Sequence, residues 1–420
     1  MTRRGLAVWS WRSKDHDVEI LQETLIVLEP SYVMVESSVQ DNTAHTRSSI
    51  AEMSNVNSDL HHPGDSCSEV VMRLGKTSLW GIILAGGGGE RLKGYIREQV
   101  GSVIPKQFCT FVGRQSMLEC TINRARLLIP SERLVVSGMA HHDSYMVRTL
   151  GTSPPRTVLL QPENRDTAPG ILLPLIHVLR KDPQAVVAIL PADHFIAPGR
   201  RFMRAIAAAG HFVEDQNVDS PVLLAVQPDR PDLEYGWIKP GNLVEHDGRQ
   251  TIRQIARFVE KPGYDRAERL LGEGWLWNTR VIVIRAKAMM DLMWRHVPDV
   301  AARFALLQRF LGSQREQDLI KAVYQTLPKV NFSTSILAGR DTRSLVLPVE
   351  NIHWSDWGTK ERIFNDARAL GLTPSVSVRT PQAPATSGTE TPAHAQCHGG
   401  AVQVSEKRIP SSLKPTEKGE

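Results

Sequence analysis

Residues 80–92 read WGIILAGGGGERL, an apolar run that ends in four consecutive glycines, a glutamate and an arginine. The run at residues 80–85 has the length and composition of a strand buried on both faces, as in a parallel sheet. Glycine has no Cβ and adopts positive φ at little cost, so such a turn lets backbone N–H groups approach a phosphate closely. This stretch therefore predicts a core strand followed by an anion-binding turn.

Two familiar nucleotide-binding loops do not fit this turn. The dinucleotide fingerprint GxGxxG requires a third glycine where Arg91 or Leu92 stands, which argues against an oxidoreductase of that type. The P-loop GxxxxGK[ST] has the right spacing at Gly89 and Gly94, but Tyr95 replaces its lysine. A tight strand-to-helix turn with no ligand remains the alternative for the glycines alone.

The alternation of strand and helix patterns along the chain predicts the fold class. Further apolar runs lie at residues 134–137, 157–160, 185–190 and 222–226, with helix-compatible stretches between them at 115–129, 168–180 and 200–214. This order predicts βαβ units and a mainly parallel sheet with helices on both faces. Later elements are predicted to complete a pocket: strands at 253–259 and 280–285, and helices at 287–296 and 301–311.

Composition excludes several classes of protein. The chain has 420 residues, is 41% hydrophobic and 23% charged, and contains no apolar run long enough to span a membrane. Its four cysteines stand at wide, irregular spacings, which argues against a disulfide scaffold or a zinc site and favours a reducing cytoplasm. The first thirty residues lack the pattern of a secretory signal.

Positive charge is concentrated in the middle of the chain. Residues 77–372 hold 38 Lys and Arg against 30 Asp and Glu, whereas residues 1–76 hold seven against eleven. A basic middle suits an anionic partner, but its aromatic residues do not interleave with basic ones as in nucleic-acid binders. Three parts are predicted: a largely irregular leader at 1–76, an α/β domain at 77–372 and a disordered tail at 373–420.

Two motifs together resemble a known family. LAGGGGERL at 84–92, followed by PKQF at 105–108, is similar to the signature of the sugar-phosphate nucleotidyltransferases, specifically the mannose-1-phosphate guanylyltransferases. Further matching segments follow in the family's order at residues 161–169, 190–194, 235–238, 258–262, 277–279 and 354–358. The resemblance covers roughly residues 79–370. It implies a Rossmann-like, GT-A-like α/β fold: a mixed, mainly parallel sheet flanked by helices, with inserted strands for a sugar pocket.

The activity that the resemblance implies is nucleotidyl transfer. GTP and mannose 1-phosphate would give GDP-mannose and pyrophosphate, while another base, another hexose 1-phosphate or a catalytically silent nucleotide-binding regulator remain alternatives. An attacking phosphate is already anionic, so the chemistry needs alignment and charge neutralisation rather than a strong base. The sequence does not decide whether the chain forms a homo-oligomer, and it predicts neither a nucleic-acid nor a membrane partner.

The resemblance also implies roles for individual residues. Catalytic roles fall on Arg91, Lys106 and Asp193, and Mg²⁺ would be held by Asp193 and Asp356, because magnesium prefers carboxylate and phosphate oxygens. The implied nucleotide-binding residues are Gly86, Gly87, Gly88, Gly89, Glu163, Asn164 and Thr167. The implied sugar-phosphate-binding residues are Gly236, Glu260, Lys261 and Asn278.

The positions of the two aspartates agree with these roles, whereas two segments depart from the family's motifs. Asp193 follows a predicted buried strand, at the edge where α/β sheets bind ligands, and Asp356 lies between two tryptophans expected to pack. The family's LxPLSR becomes LKGYIR at residues 92–97, and its WNSG becomes WNTR, which places Arg280 at the glycine position. After residue 372 we expect no β-rich isomerase domain of the kind found in bifunctional relatives.

Overall fold

A nine-stranded sheet forms the centre of the chain in the computed structural model, which describes residues 79–151, 154–246, 250–337 and 343–378. The predicted leader and residues 379–420 of the predicted tail lie outside the described residues. The strands are β1 Leu79–Leu84, β2 Thr110–Val112, β3 Leu134–Met139, β4 Thr157–Gln161, β5 Val186–Pro191, β6 Phe195–Ala197, β7 Val222–Val226, β8 Gly236–His246, β9 Thr251–Glu260, β10 Leu276–Arg285, β11 Leu345–Val349, β12 His353–Ser355 and β13 Pro374–Ser377.

The main sheet is mixed but mostly runs in one direction. Its order is β4-β3-β1-β5-β10-β7-β11-β9-β8, and only β9 and β10 run against the other strands of this sheet. The predicted fold class is therefore confirmed. β10 lies between β5 and β7 and completes the sheet from the later, inserted part of the chain.

Helices cover both faces of this sheet. Their bounds are α1 Lys93–Val100, α2 Met117–Ala125, α3 Asp143–Leu150, α4 Thr167–Lys181, α5 Gly199–Asp215, α6 Tyr264–Gly272, α7 Ala286–His296, α8 Pro298–Gln308, α9 Glu316–Thr326 and α10 Lys360–Ala369. Along β1, Leu79 and Ile83 pack into one core with α2 and α5, while Trp80 and Ile82 pack into a second core with α4 and α7. This alternation follows from the two-residue period of a strand and explains why β1 is apolar throughout.

Local chemistry explains some boundaries that differ from expectation. α2 begins at Met117 because Ser116 and Glu119 form a capping box: each side chain accepts a hydrogen bond from the other residue's backbone N–H. α8 begins three residues earlier than predicted, with Pro298 at the first position, where a missing N–H costs nothing. β13 lies inside the predicted disordered tail, because antiparallel pairing with β2 satisfies its backbone.

A short 3-10 turn at Ala140–His142 leads into α3, and the buried His142 ring packs at a steep angle against Phe108, with 5.6 Å between the ring centroids. No helix within the described ranges is long and apolar enough to cross a membrane.

Candidate active site

The carboxyl ends of β1 and β5 lie side by side and carry the two most informative motifs. Leu84 of β1 pairs with Pro191 of β5, and the N–H of Ala192 donates to the Leu84 carbonyl at 3.0 Å. The glycine turn and Asp193 therefore leave the sheet at the same edge, where open α/β sheets bind ligands.

The side chain of Gln107, to which the sequence analysis assigned no role, fixes the glycine turn by hydrogen bonds. Gln107, only 2% exposed, donates through Nε2 to the carbonyls of Ala85 at 2.8 Å and Gly87 at 2.9 Å. Gly89 has φ +62°, and a Cβ there would lie 2.9 Å from the Lys106 Cβ. The turn and the PKQF segment are therefore packed backbone to backbone.

We expect Gly89→Ala to destabilise the protein by about 2 kcal/mol, because it combines a left-handed backbone with an overlap against Lys106. Gly87→Ala is the matched control, since nothing lies within 4 Å of its Cβ position. Denaturant unfolding of both variants measures the difference. Equal free energies of unfolding for the two alanine variants would contradict the packing described for this turn.

Lys106 contacts both of the predicted metal-binding aspartates, Asp193 through its carboxylate and Asp356 through its backbone carbonyl. Its Nζ lies 2.9 Å from Asp193 Oδ2 and also donates to the backbone carbonyl of Asp356, although it is only 4% exposed. Burial alone would raise the pKa of Asp193, but Lys106 and then His194 lower it below its usual value. The site thus keeps an ionised carboxylate, 36% exposed, beside a buried ammonium.

The Asp356 carboxylate accepts four hydrogen bonds. Its Oδ1 accepts from the Tyr235 hydroxyl at 2.9 Å, the Gly358 N–H at 3.0 Å and Arg362 at 2.8 Å. Its Oδ2 accepts from Arg91 Nη2 at 2.6 Å. Burial acts to raise the pKa of Asp356, yet the surrounding cations hold it well below its usual range. The aspartate is therefore a fixed negative charge at the centre of a cationic cluster.

Glu234 connects this cluster to the predicted sugar-phosphate residues. Its carboxylate lies 3.3 Å from Arg91 Nη1 and 3.6 Å from Lys261 Nζ. The side chains of Arg91 and Lys261 are 43% and 54% exposed, so both cations are accessible from solvent. Lys261 has φ +46°, a conformation that non-glycine residues adopt at some cost and that clusters at functional sites.

The residues predicted to bind the sugar phosphate lie on the adjacent strands β8, β9 and β10 or directly after them. A Cβ on Gly236 would lie 2.8 Å from Glu260 Oε2, so the glycine makes room for this carboxylate. Asn278 lies beside them but is buried, and its Oδ1 accepts from the N–H of Arg280 at 2.9 Å. This hydrogen bond fixes the backbone of Arg280 relative to Asn278.

The three non-glycine residues predicted to bind the nucleotide make contacts with residues close to them in the chain. Glu163 pairs with Arg165 at 2.6 Å, and Asn164 Oδ1 accepts from the N–H of Asp166 at 2.9 Å. Thr167 is the first residue of α4 and not its N-cap. Asp166 is the N-cap, because its carboxylate accepts from the Thr167 N–H at 2.6 Å. These contacts fix the start of α4.

Gln161 is the residue of this segment that faces the glycine turn. Its Nε2 lies 3.3 Å from the position a Cβ on Gly86 would take, and donates to Ser137 Oγ at 3.2 Å. Its Oε1 accepts from the Tyr324 hydroxyl at 3.3 Å. The end of β4 is therefore in contact with the turn through this amide.

The two aspartates differ in how free they are to bind a cation, because both carboxylate oxygens of Asp356 already accept hydrogen bonds. Within the described ranges no group of three or more His, Cys, Asp or Glu could hold a metal ion. Magnesium, however, commonly takes one or two carboxylates together with substrate phosphates. Asp193 is the more available ligand, since Asp356 Oδ2 is engaged by Arg91.

The fold and the site define a class of protein. The nucleotidyl transferase family matches residues 80–371, and the chain belongs to that family. This match spans the sheet and every predicted site residue.

The chain is also similar to individual named proteins and to a solved structure. The chain is 33% identical to mannose-1-phosphate guanylyltransferase of Klebsiella pneumoniae over 222 residues, which is 52% of this chain and 45% of the relative. It is 28% identical to mannose-1-phosphate guanylyltransferase ManC of Salmonella typhimurium over 296 residues, 69% and 59% of the two chains. A crystal structure from Thermus thermophilus, described as mannose-1-phosphate geranyltransferase, superposes with TM-score 0.57 at 28% identity, covering 68% of this chain and 79% of that one. The chain spans about half the length of the curated relatives it matches.

Proposed function

We propose that the chain transfers a nucleotidyl group from GTP to mannose 1-phosphate, giving GDP-mannose and pyrophosphate. One observation carries this proposal: the buried Lys106 ammonium lies between Asp193 and Asp356, beside a glycine turn at the carboxyl end of β1. Such an arrangement suits a triphosphate, whose charge needs cations and backbone N–H groups. The named relatives support the choice of mannose 1-phosphate and guanine.

In the proposed reaction, a phosphate oxygen of the sugar 1-phosphate attacks the α-phosphorus of the triphosphate. A new oxygen–phosphorus bond forms as the bond from the α-phosphorus to the oxygen bridging it to the β-phosphate breaks, and pyrophosphate leaves with that electron pair. Arg91 and Lys106 bind the triphosphate oxygens, and Lys261 binds the acceptor phosphate. Asp193 and Asp356 would hold Mg²⁺, which when bound neutralises phosphate charge.

The contacts of Arg91 support its assignment to the triphosphate. Its guanidinium pairs with the carboxylates of Asp356 and Glu234. A guanidinium that is 43% exposed can exchange a carboxylate for a phosphate, and its planar fork suits either group. A cytoplasmic setting is part of the proposal, and the free thiols of Cys109 and Cys120 support it.

Pyrophosphate release from a matrix of substrates tests the proposed function. The arms combine GTP, ATP, UTP or dTTP with mannose 1-phosphate or glucose 1-phosphate, each with and without Mg²⁺. We expect release only when both substrates and Mg²⁺ are present, and fastest release with GTP and mannose 1-phosphate. Tight nucleotide binding without turnover for any pair would contradict the proposal and favour a regulatory protein.

A further inference from the structure

Arg280 occupies a position that its backbone conformation makes costly. It follows Asn278 and Thr279 in β10, where the register against β7 shifts between Asn278 and Ile282. Its φ is +60°, a left-handed value that is disfavoured for a residue with a Cβ and favoured for glycine. Disfavoured backbone conformations of this kind cluster at functional sites, so the Arg280 side chain is a candidate functional group.

The guanidinium of Arg280 reaches the predicted sugar-phosphate pocket. Its Nη2 lies 3.9 Å from Glu260 Oε1, too far for a hydrogen bond, and the side chain is 43% exposed.

Glu260 has positive charges from two neighbouring residues. Burial raises its pKa, while Arg280 and then Lys261 act to lower it. Its Oε2 is buried and has no hydrogen-bond partner among the described residues. Neither cation neutralises the Glu260 carboxylate by a close contact. Arg280 lies 3.9 Å from it, and Lys261 pairs instead with Glu234 at 3.6 Å.

We propose that Arg280 and Lys261 form a two-cation clamp for the phosphate of the acceptor, with Arg280 determining how tightly the acceptor binds. This inference rests on the proposed function for its acceptor, a sugar 1-phosphate. A phosphate dianion accepts hydrogen bonds from both cations, whereas the single carboxylate of Glu260 leaves them incompletely paired. Both Arg280 and Lys261 have positive φ, and each lies close to Glu260 along the chain or across the sheet.

Calorimetric binding of mannose 1-phosphate, in the presence of a non-hydrolysable GTP analogue, tests the clamp without requiring turnover. Arg280→Asn removes the charge but tolerates the left-handed backbone. We expect it to weaken binding about 10- to 100-fold, the loss typical of a hydrogen bond to a charged group. Arg280→Lys should retain part of the affinity. Arg257→Asn is the matched control, an exposed arginine on β9 that loses the same charge and should bind as the wild type does.

Inorganic phosphate as a competitor identifies the group that is clamped. We expect its inhibition constant to rise in Arg280→Asn by a factor similar to that for the sugar phosphate. An unchanged inhibition constant would place Arg280 on the sugar ring and overturn the phosphate clamp. Equal affinity of wild type and Arg280→Asn, or no binding by the wild type, would also overturn it. Intact binding without turnover in the wild type would contradict the proposed function alone.

Discussion

Asp193→Asn is expected to lower turnover by at least about 100-fold, the loss seen when one charge-stabilising group is removed from a preorganised site. The substitution keeps the size of the side chain but removes the charge that faces Lys106 and would hold Mg²⁺. Initial rates of pyrophosphate release, at saturating substrates and several Mg²⁺ concentrations, measure the effect.

Asp229→Asn is the matched control for this prediction. Asp229 follows β7 at the same edge of the sheet, is 64% exposed and pairs with Arg230 at 2.8 Å. We expect this variant to retain wild-type rates. Wild-type turnover in Asp193→Asn would contradict the assignment, provided that circular dichroism shows both variants to be folded.

Asp356→Asn is expected to destabilise the protein by about 3 kcal/mol or more at pH 7. The buried carboxylate is the shared partner of Arg91 and Arg362, and removing its charge leaves these cations incompletely paired. Glu234→Gln is the control, because its pair with the same Arg91 is half exposed and should contribute about 1 kcal/mol or less. Equal destabilisation by both variants would contradict the central place of Asp356.

The difference in the free energy of unfolding between wild type and Asp356→Asn is expected to shrink as the pH falls. The folded pKa of Asp356 lies below its unfolded value of about 3.9, so its stabilising charge is fully present above about pH 4. As the pH falls through the folded pKa, the stabilisation is lost and wild type and Asp356→Asn should converge. Urea unfolding of both proteins between pH 7 and pH 3 measures this. A difference that grows on acidification would contradict the lowered pKa.

The parallel part of the sheet was predictable from the sequence because buried strands leave continuous apolar runs. The five runs from residue 80 to residue 226 all became strands of one sheet. The place of β10 was not predictable, since strand direction and neighbours depend on contacts far apart in the chain. The short β13 was missed because its four residues are stabilised by pairing with β2 rather than by a large buried surface.

The site was predictable where residue type and motif coincide, and less so where a contact spans the chain. Motif resemblance identified Arg91, Lys106, Asp193 and Asp356, and the structure brings these four together. Their contacts were hidden because Arg91 and Asp356 are 265 residues apart. Arg362 was missed because an arginine in the first turn of an ordinary surface helix carries no distinguishing pattern.

In the proposed reaction, a sugar 1-phosphate attacks the α-phosphorus of the triphosphate beside Lys106. Mannose 1-phosphate labelled with heavy oxygen at its non-bridging phosphate positions, reacted with unlabelled GTP and Mg²⁺, tests this most directly by mass spectrometry. We predict that GDP-mannose carries all of the label and that pyrophosphate carries none. Label in the pyrophosphate, or pyrophosphate released without any nucleotide sugar, would contradict the claim.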